Sequence, residues 1–295
     1  MGKRIWQLDA LRGMAMVLMA AYHLLVDLRD FFGVAGIEYS RPPLLLIGRA
    51  SAVTFILVAG ASCTLSKSNL RRGARVFAGG MAITAATWLY GPTRALYIRF
   101  GILHFLGAAM AIVGAAQLIC ARARGKAADG FGRTPQQHEM PQQHGLPTQH
   151  SLPTQPGLPT QHSLPTQHGS PQPGGMAAAA AWLAAAVACA ALGAAFRGRT
   201  TTFPFLFPLG LEPVGFATYD YYPLFPWLAV FFAGVAAGRA LLHGSAGKKI
   251  AEAREPAAFR ALGAFGRRAF IFYFAHQPAL IAILALWFRA LAPLF

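Results

Sequence analysis

The chain has 295 residues, of which 55% are hydrophobic and 12% are charged. A soluble domain carries about 25% charged residues, so this composition indicates a polytopic membrane protein and excludes an ordinary soluble enzyme. The formal net charge of +16 would suggest nucleic-acid binding in a soluble chain. Here the Lys and Arg residues lie mainly between apolar segments, as they do in the cytoplasmic loops of membrane proteins.

The first apolar segment, WQLDALRGMAMVLMAAYHLLVD from Trp6, carries ionisable residues at both ends. Arg12 and His23 are eleven residues apart, which on an α-helix is three turns plus about 20° and about 16 Å, so their side chains share one stripe. Asp9 and Asp27 lie three and four residues from these cations, at helix-neighbour spacing. Intramembrane ionisable groups are often functional, and a His–Asp pair is a common base. Alternatively, Asp9 and Arg12 lie at the interface and His23 is a hydrogen-bonded core residue.

Seven segments in all are long and apolar enough to cross about 30 Å of hydrocarbon. The third is the shortest, and we expect its helix to extend back through the arginines that precede it. The fifth is mostly Ala, which favours close helix packing. The predicted segments are Leu8–Asp27, Leu44–Leu65, Val76–Tyr90, Phe100–Cys120, Met176–Phe196, Pro223–Leu242 and Ala269–Leu294.

Basic residues are distributed unevenly between the loops. With the N-terminus inside, eighteen of the 26 Lys and Arg residues fall on the cytoplasmic side, which positive charge favours. Among them are Arg71, Arg72 and Arg75, which could also bind phosphate groups. The sequence therefore predicts an all-α membrane protein, a bundle of about seven transmembrane helices with a cytoplasmic N-terminus, multi-pass in an inner or plasma membrane.

Between the fourth and fifth segments the chain changes to hexapeptide repeats such as GLPTQH and SLPTQH. Their Pro content and lack of apolar bulk predict a disordered cytoplasmic linker over residues 122–175, between parts 1–121 and 176–295 of one membrane domain. Gln–His repeats can bind a metal weakly but are usually inert, and three cysteines within apolar segments indicate no metal cluster, so no metal is predicted. The repeat histidines are His138, His144, His150, His162 and His168.

Four further polar residues lie in or near apolar segments, and each has a structural alternative. Arg49 could bind a substrate or extend its side chain to the interface. His104 could be functional or a core histidine bonded to a carbonyl. For Asp220, capping of the sixth helix is the leading explanation. His276 comes shortly before a proline that frees a backbone carbonyl one turn earlier, so a structural kink is as good an interpretation as a site.

Five blocks of the chain, taken in order, resemble one known group of proteins. They are LDALRGMAMVLMAAYH, GRASAVTFILVAGASCTLS, RFGILHFLGAAM, DYYPLFPWLAVFFAGVAAGR and GRRAFIFYFAHQPAL. These blocks are similar to the transmembrane acyltransferases, and more to the heparan-alpha-glucosaminide N-acetyltransferase catalytic-domain family than to the acyltransferase type 3 enzymes. The resemblance covers everything except Arg122 to Gly175. It implies acyl transfer from cytoplasmic acyl-CoA to an acceptor across the bilayer, with the first-helix His as the catalytic residue.

The resemblance and the residue pattern together give a mechanistic hypothesis. His23 acts on the acyl group, as general base for an acceptor hydroxyl or amine or as a covalent acyl-His, and Asp27 orients its ring. Acetyl-CoA or another acyl-CoA is the co-substrate, with no metal. The residues predicted to bind it are Asp9, Arg12, Arg71, Arg72 and Arg75. Those predicted to bind a glycan-like acceptor at the outer side are Arg49, His104, Asp220 and His276.

Other functions would also place ionisable groups in a helix bundle. A small-molecule transporter or channel, or a non-enzymatic membrane protein, is the alternative, and binding or hydrolysis of acetyl-CoA would separate these from an acyltransferase. The expected partners are the lipid bilayer, acyl-CoA and the acceptor, without nucleic acid. An oligomer is compatible with the sequence.

Overall fold

The computed structural model describes residues 4–90, 97–131 and 175–291. The chain divides into two compact units, one of Met1–Ala116 with Pro173–Phe295 and one of Gln117–Gln172. Most of the second unit, including the hexapeptide repeats and their histidines, lies outside the described residues, as does most of the predicted linker.

The described residues are mostly helical, which confirms the predicted all-α membrane fold. Helix boundaries agree with the predicted segments to within a few residues in most cases, because long apolar runs are the strongest local signal of a membrane helix. The helices are α1 Trp6–Asp30, α2 Leu44–Cys63, α3 Asn69–Tyr90, α4 Ile102–Phe131, α5 Gly175–Phe196, α6 Leu224–Leu241, α7 Gly244–Glu252, α8 Ala257–Arg267 and α9 Ala269–Leu291.

Two helix boundaries lie more than a few residues beyond the ends of the predicted apolar segments. Helix α3 begins at Asn69, so it does extend back through its arginines as expected. Helix α4 continues to Phe131, although the predicted fourth segment ends at Cys120 and the predicted linker begins at residue 122. The added part, ARARGKAADGF, is polar but rich in good helix formers, so the helix continues past the apolar run.

By length and composition, six of the described helices could cross a membrane, namely α1, α2, α4, α5, α6 and α9. Helix α3 is not among them, because its first turns carry three arginines. Nevertheless it lies along α4, with Leu70 against Gly114, Phe77 against Gly107 and Gly80 against His104. These contacts run antiparallel over about 15 Å at 1.5 Å per residue.

The directions of the other helices show that α3, like α4, crosses the membrane. Along α2 and α6, Leu57 lies against Gly234 and Ala61 against Gly238, so the two helices run parallel. Parallel spans must be separated by an odd number of crossings, and α3, α4 and α5 supply three. Without α3 there would be two, and α6 would run the other way. The bundle therefore has seven crossing helices within the described residues.

The hydrophobic core lies where α2, α4 and α6 meet. Ile56, Phe105 and Phe231 are fully buried there, and the two aromatic rings meet edge to face with centroids 6.2 Å apart. Helix α5 packs on α6 through residues spaced by seven, Ala179, Ala186 and Gly193, and leaves its other faces exposed. This one-sided packing agrees with the expectation from its Ala content.

Helices α7 and α8 lie between the sixth and seventh predicted segments, and each is too short to span a membrane. Helix α8 packs on the first turns of α1 at glycines, where an added Cβ on Gly13 would meet the carbonyl of Leu262 and one on Gly266 would meet that of Asp9. Helix α7 is tied to the same end by the Gln7 amide, which donates to the carbonyl of Ile250 at 3.0 Å. One face of the N-terminal end of α1 is therefore covered by α7 and α8.

The connection from α5 to α6 forms a small folded cap at the other end of the bundle. Strand β1, Thr200–Thr201, pairs in parallel with β2, Glu212–Pro213, and a 3-10 turn spans Phe207–Leu209. Nearby, the backbone N–H of Tyr222 donates to the carbonyl of Phe100 at 3.0 Å. This contact joins the cap to the start of α4.

Candidate active site

Polar side chains of α1 and α9 meet in the half of the bundle away from the N-terminus. The ring centroids of His23 and His276 are 5.2 Å apart, with an angle of 58° between the rings. One turn along α1, Oδ1 of Asp27 accepts a 2.6 Å hydrogen bond from the side-chain amide of Gln277. We call these four side chains the α1–α9 polar cluster. It brings together His23 and Asp27, which were predicted to act in catalysis, and His276, which was predicted to bind the acceptor.

Helix geometry explains why α1 presents both of its polar residues to α9. His23 and Asp27 are four residues apart and therefore lie on one face. Helices α1 and α9 run parallel, since Phe32, just after α1, stacks on Phe288, near the end of α9, with ring centroids 4.8 Å apart. Successive positions on one helix can therefore meet successive positions on the other.

The ring of His276 is held in one orientation by its own helix. It is 6% exposed, and its Nδ1 lies 2.7 Å from the carbonyl oxygen of Tyr273. A carbonyl only accepts, so Nδ1 carries the hydrogen, and in the neutral ring Nε2 holds a free lone pair. Nε2 is buried and has no hydrogen-bond partner within the described residues. The carbonyl of Tyr273 is not the one that Pro278 frees, which is that of Phe274, four residues before the proline.

The carboxylate of Asp27 is fully buried, at 0% exposure. Its Oδ1 is bonded to Gln277, while its Oδ2 has no partner within the described residues. No hydrogen bond joins Asp27 to His23 in the part of the chain that the structure describes, so Asp27 is held by α9 and not by the histidine on its own helix.

Three buried polar atoms of this one cluster have no partner in the described part of the chain: Oδ2 of Asp27, Nε2 of His276 and Oε1 of Gln277. Leaving a buried polar atom unpaired costs about 1–3 kcal/mol, so such atoms are rare, and a group of them needs an explanation. Among the described residues no group of three His, Cys, Asp or Glu could hold a metal. All three atoms are hydrogen-bond acceptors, so the cluster is suited to a substrate that supplies hydrogen-bond donors, such as hydroxyl or amine groups.

A scan against protein-family models matched the chain to the heparan-alpha-glucosaminide N-acetyltransferase catalytic family over residues 4–123 and 176–278. That match covers more than half of the chain. The chain belongs to this family. The matched ranges include all four residues of the α1–α9 polar cluster and leave out the hexapeptide repeats. No curated protein and no solved structure matched the chain.

Membership of the heparan-alpha-glucosaminide N-acetyltransferase catalytic family, together with the spanning helices, describes a multi-pass membrane protein of an acetyltransferase family. The predicted family resemblance is confirmed. The roles of individual residues remain predictions, and their positions in the fold are as follows.

At the N-terminal end of α1, Asp9 joins two arginines. Its carboxylate accepts from Arg4 at 2.9 Å and from Arg12 at 2.8 Å, and Arg12 also donates to Oγ of Ser62 at 2.8 Å. This network ties α1 to α2 and holds Arg12 in place. Arg72 of α3 lies within electrostatic range of Arg12. Two cations share one carboxylate here, which leaves the region net positive.

The other residues predicted to bind acyl-CoA lie on the surface of α3. Arg71 and Arg75 are exposed, and Arg75 donates to the carbonyl of Arg71 at 3.4 Å. A separate cavity of about 240 Å³ opens where the start of α1 meets α7 and α8. Its lining includes Arg4, Trp6, Asp9, Glu255 and Arg267.

His104 is 2% exposed, and both of its ring nitrogens have protein partners. Its Nδ1 accepts from the N–H of Gly101 at 3.2 Å, so Nε2 carries the hydrogen and donates to Oγ1 of Thr84 at 3.1 Å. Thr84 in turn donates to the carbonyl of Ile98 at 2.7 Å. The geometry favours the structural interpretation of His104, as a residue that ties α3 to the start of α4.

Asp220 does cap a helix, but not the one that the sequence suggested. Its Oδ2 accepts from the N–H of Ile102, the first residue of α4, at 3.1 Å. The expected capping of the sixth helix is therefore corrected to capping of the fourth. Burial raises the pKa of Asp220 to about 6, and the bond from Ile102 acts in the opposite direction.

Arg49 is exposed on the first turns of α2. Its neighbour Gly48 packs on the ring of Tyr22, the residue before His23. No hydrogen bond or ion pair of the Arg49 side chain is found among the described residues. Arg49 is therefore available to a ligand that approaches the bundle near Tyr22.

Sequence reasoning missed Gln277 as a site residue. An uncharged amide gives no charge signal, so the pattern of ionisable residues does not single out Gln277. Its position next to His276 was the available clue. Its bond to Asp27, 250 positions away in the chain, depends on the packing of α1 against α9.

Proposed function

We propose that this protein transfers an acyl group, acetyl in the simplest case, from acyl-CoA to a hydroxyl or amine of an acceptor. The observation that carries the proposal is the α1–α9 polar cluster: two histidines and a carboxylate with unpartnered buried atoms, in a chain of an acetyltransferase family. The acceptor is glycan-like and the membrane is the inner or plasma membrane in this proposal.

The two ends of α1 would serve the two substrates. Acyl-CoA would bind at the N-terminal, cytoplasmic end, where Arg12 and Arg72 with Asp9 form a net positive group that suits phosphates. Arg71 and Arg75, exposed on α3, would extend that region. His23 lies about 16 Å further along α1 by the helix rise. The thioester would therefore have to reach along α1 to the cluster.

In this proposal His23 acts on the acyl group. Its side chain is half-buried and makes no hydrogen bond within the described residues, so its ring nitrogens are available to a substrate. As general base it would take the acceptor's proton as the acceptor attacks the thioester and the C–S bond breaks. As nucleophile it would carry the acyl group and then release it to the acceptor.

Asp27 would act through the electrostatics of the cluster. A buried carboxylate four residues along the same helix face stabilises an imidazolium at His23, even without a direct hydrogen bond. The Gln277 amide holds Asp27 in place for this role.

For the acceptor we retain Arg49 and His276 of the predicted residues. Both have polar atoms without a partner among the described residues, close to His23 or to its neighbour Tyr22. His104 and Asp220 are left out, because hydrogen bonds within the protein explain their positions.

The test is transfer by purified protein in detergent, with acetyl-CoA as donor and glucosamine as a probe acceptor, followed by CoA release. We expect His23→Ala to lower turnover by at least about 100-fold, which is the usual scale for loss of an acid–base residue. Its thermal unfolding should change little, since the ring makes no hydrogen bond to the described residues. His23→Ala with wild-type turnover would remove His23 from the mechanism.

A further inference from the structure

His276 differs from the other histidine of the cluster in having a fixed proton. The Tyr273 carbonyl holds the hydrogen on Nδ1, and this leaves Nε2 with a lone pair in a buried position and with no partner among the described residues. Phe272 stacks on the ring, with centroids 5.6 Å apart and 19° between the planes. The ring is therefore held by a hydrogen bond and by an aromatic neighbour, with its basic atom unoccupied.

His104 provides the comparison within the same chain. Its two nitrogens are also in a buried setting, but both are bonded to protein groups. A histidine that only packs is expected to look like His104, since unpaired buried nitrogens cost stability. The free Nε2 of His276 therefore needs a partner that comes from a substrate.

We propose that His276 is the general base that takes the proton of the acceptor, with Nε2 as the accepting atom. The inference rests on the proposed acyl transfer and divides it between two histidines: His276 receives the acceptor's proton, and His23, 5.2 Å away between centroids, acts on the acyl group. The two rings lie on different helices, so the reacting carbonyl would be placed between α1 and α9.

The transfer step balances with this assignment. The acceptor oxygen or nitrogen forms a bond to the acyl carbonyl carbon, and its proton moves to Nε2 of His276. The bond from that carbon to the leaving group breaks, with the electron pair going to the CoA sulfur or, after acylation, to a ring nitrogen of His23. His276 then returns its proton to that leaving group and is neutral again.

The ionisable groups around His276 are few. On α1 they are His23 and Asp27, and on α9 itself Tyr273, while Gln277 is neutral. A proton on His276 during the step would be stabilised by Asp27, which is held in the same cluster.

The test uses His276→Asn and His276→Ala in the full chain, with acetyl-CoA and glucosamine. Asn can still donate to the Tyr273 carbonyl but has no basic atom, so we expect a fall in turnover of about 10²- to 10⁴-fold. Acetyl-CoA binding, measured by calorimetry, should stay within about threefold, because the proposed CoA-binding arginines are at the far end of α1. The matched control is His243→Asn, at an exposed histidine before α7, which should keep wild-type turnover.

Added imidazole separates a base from a packing residue. His276→Ala leaves a space the size of the lost ring, which added imidazole can fill. We expect imidazole to raise the turnover of this variant by about tenfold or more. The increase should be larger above pH 7, where the added imidazole is neutral and can accept a proton. A purely structural role would give no such rescue.

Turnover of His276→Asn within threefold of wild type would overturn the inference, and so would a folded His276→Ala that imidazole does not restore. If wild-type protein neither binds nor turns over acetyl-CoA, the proposed function fails and the inference fails with it. If the wild type is active and only the His276 results contradict expectation, the proposed function stands and the inference alone is wrong.

Discussion

At the scale of single residues, the hydrogen bond from Gln277 to Asp27 is the contact that holds a buried carboxylate between α1 and α9. It is short, at 2.6 Å, and joins α1 to α9. Bonds to a charged partner contribute about 1.5–3 kcal/mol, more than bonds between neutral groups. Substitutions at its two ends test whether Asp27 acts in chemistry or mainly in packing.

Gln277→Leu should destabilise the protein by about 1–3 kcal/mol, because it leaves both oxygens of a buried carboxylate without a donor. Unfolding of the detergent-solubilised protein by heat or denaturant measures this. The matched control is Gln7→Leu, which removes a partly buried bond to an uncharged acceptor, the carbonyl of Ile250, and should cost less. Equal losses of unfolding free energy in the two variants would show that the bond to Asp27 stabilises the protein no more than the bond to Ile250 does.

Asp27→Asn should lower turnover less than His23→Ala, since Asn keeps one oxygen that can accept from Gln277 while it removes the charge and replaces the other oxygen by an amide nitrogen. The measurement is CoA release from acetyl-CoA with glucosamine for both variants. If Asp27→Asn lowers turnover more than His23→Ala does, Asp27 contacts the reacting atoms and is not only a nearby charge that stabilises His23.

Asp220 lies outside the membrane-spanning helices, and its ionisation should make the stability of the folded protein depend on pH. Its pKa of about 6 in the folded protein lies above the ordinary 3.8, so the folded state binds the proton more tightly than the unfolded chain. The stability that this residue contributes is therefore fully present below about pH 4 and is lost as the pH rises through about 6. Asp220→Asn, which keeps an acceptor for the Ile102 N–H, removes this dependence.

We therefore expect the Tm of Asp220→Asn to rise relative to wild type between pH 4.5 and pH 7.5. Asp220→Ala, which removes the cap of α4 as well, should be less stable than Asp220→Asn at pH 4.5, where a cap is typically worth about 1 kcal/mol. Parallel pH profiles for wild type and Asp220→Asn would show that the carboxyl is not shifted.

At the scale of elements, glycines determine how closely α8 approaches α1. A Cβ at Gly266 would overlap the carbonyl oxygen of Asp9, and the backbone N of Gly13 would be 2.8 Å from it. The same turn of α1 carries the ion pairs of Asp9 with Arg4 and Arg12. Packing of α8 and the charge network at the proposed acyl-CoA end are therefore linked.

Gly266→Ala should destabilise the protein by about 1–3 kcal/mol, as overpacking against a backbone atom usually does. Acetyl-CoA affinity should weaken with it, since α1 must shift near Asp9. Gly175→Ala is the control, because an added Cβ there meets nothing within 4 Å. Thermal unfolding and calorimetric binding of acetyl-CoA measure the two quantities. If Gly266→Ala changed neither of them, α8 could shift away from α1 without a cost in stability or in binding.

At the scale of the whole molecule, the crossing of α3 decides the sidedness of every later loop. With α3 crossing, Ser40 and Thr202 lie on one side of the membrane and Ser68 and Ser245 on the other. Without it, Ser40 would share a side with Ser245 and not with Thr202. These four serine and threonine positions are exposed in the structure.

Single cysteines at these four positions, in a chain with Cys63, Cys120 and Cys189 replaced, should be labelled in two pairs by an impermeant thiol reagent. Reagent added outside intact cells should reach Ser40→Cys and Thr202→Cys only, because the charge bias favours a cytoplasmic N-terminus. Labelling of Ser68→Cys and Ser245→Cys alone would reverse the orientation. Labelling of Ser40→Cys with Ser245→Cys would show that α3 does not cross.

The membrane class, the all-α fold and most helix boundaries follow from the amino-acid sequence, because hydropathy and helix periodicity are local properties of the chain. The location of His23 and Asp27 on one face of α1 follows in the same way, since their spacing needs only the helix repeat. The packing of the helices was needed to show that this face meets His276 and Gln277, that Asp220 caps α4 and that both nitrogens of His104 are bonded within the protein. Those contacts join distant parts of the chain, and they depend on which helices pack together, which no local pattern specifies.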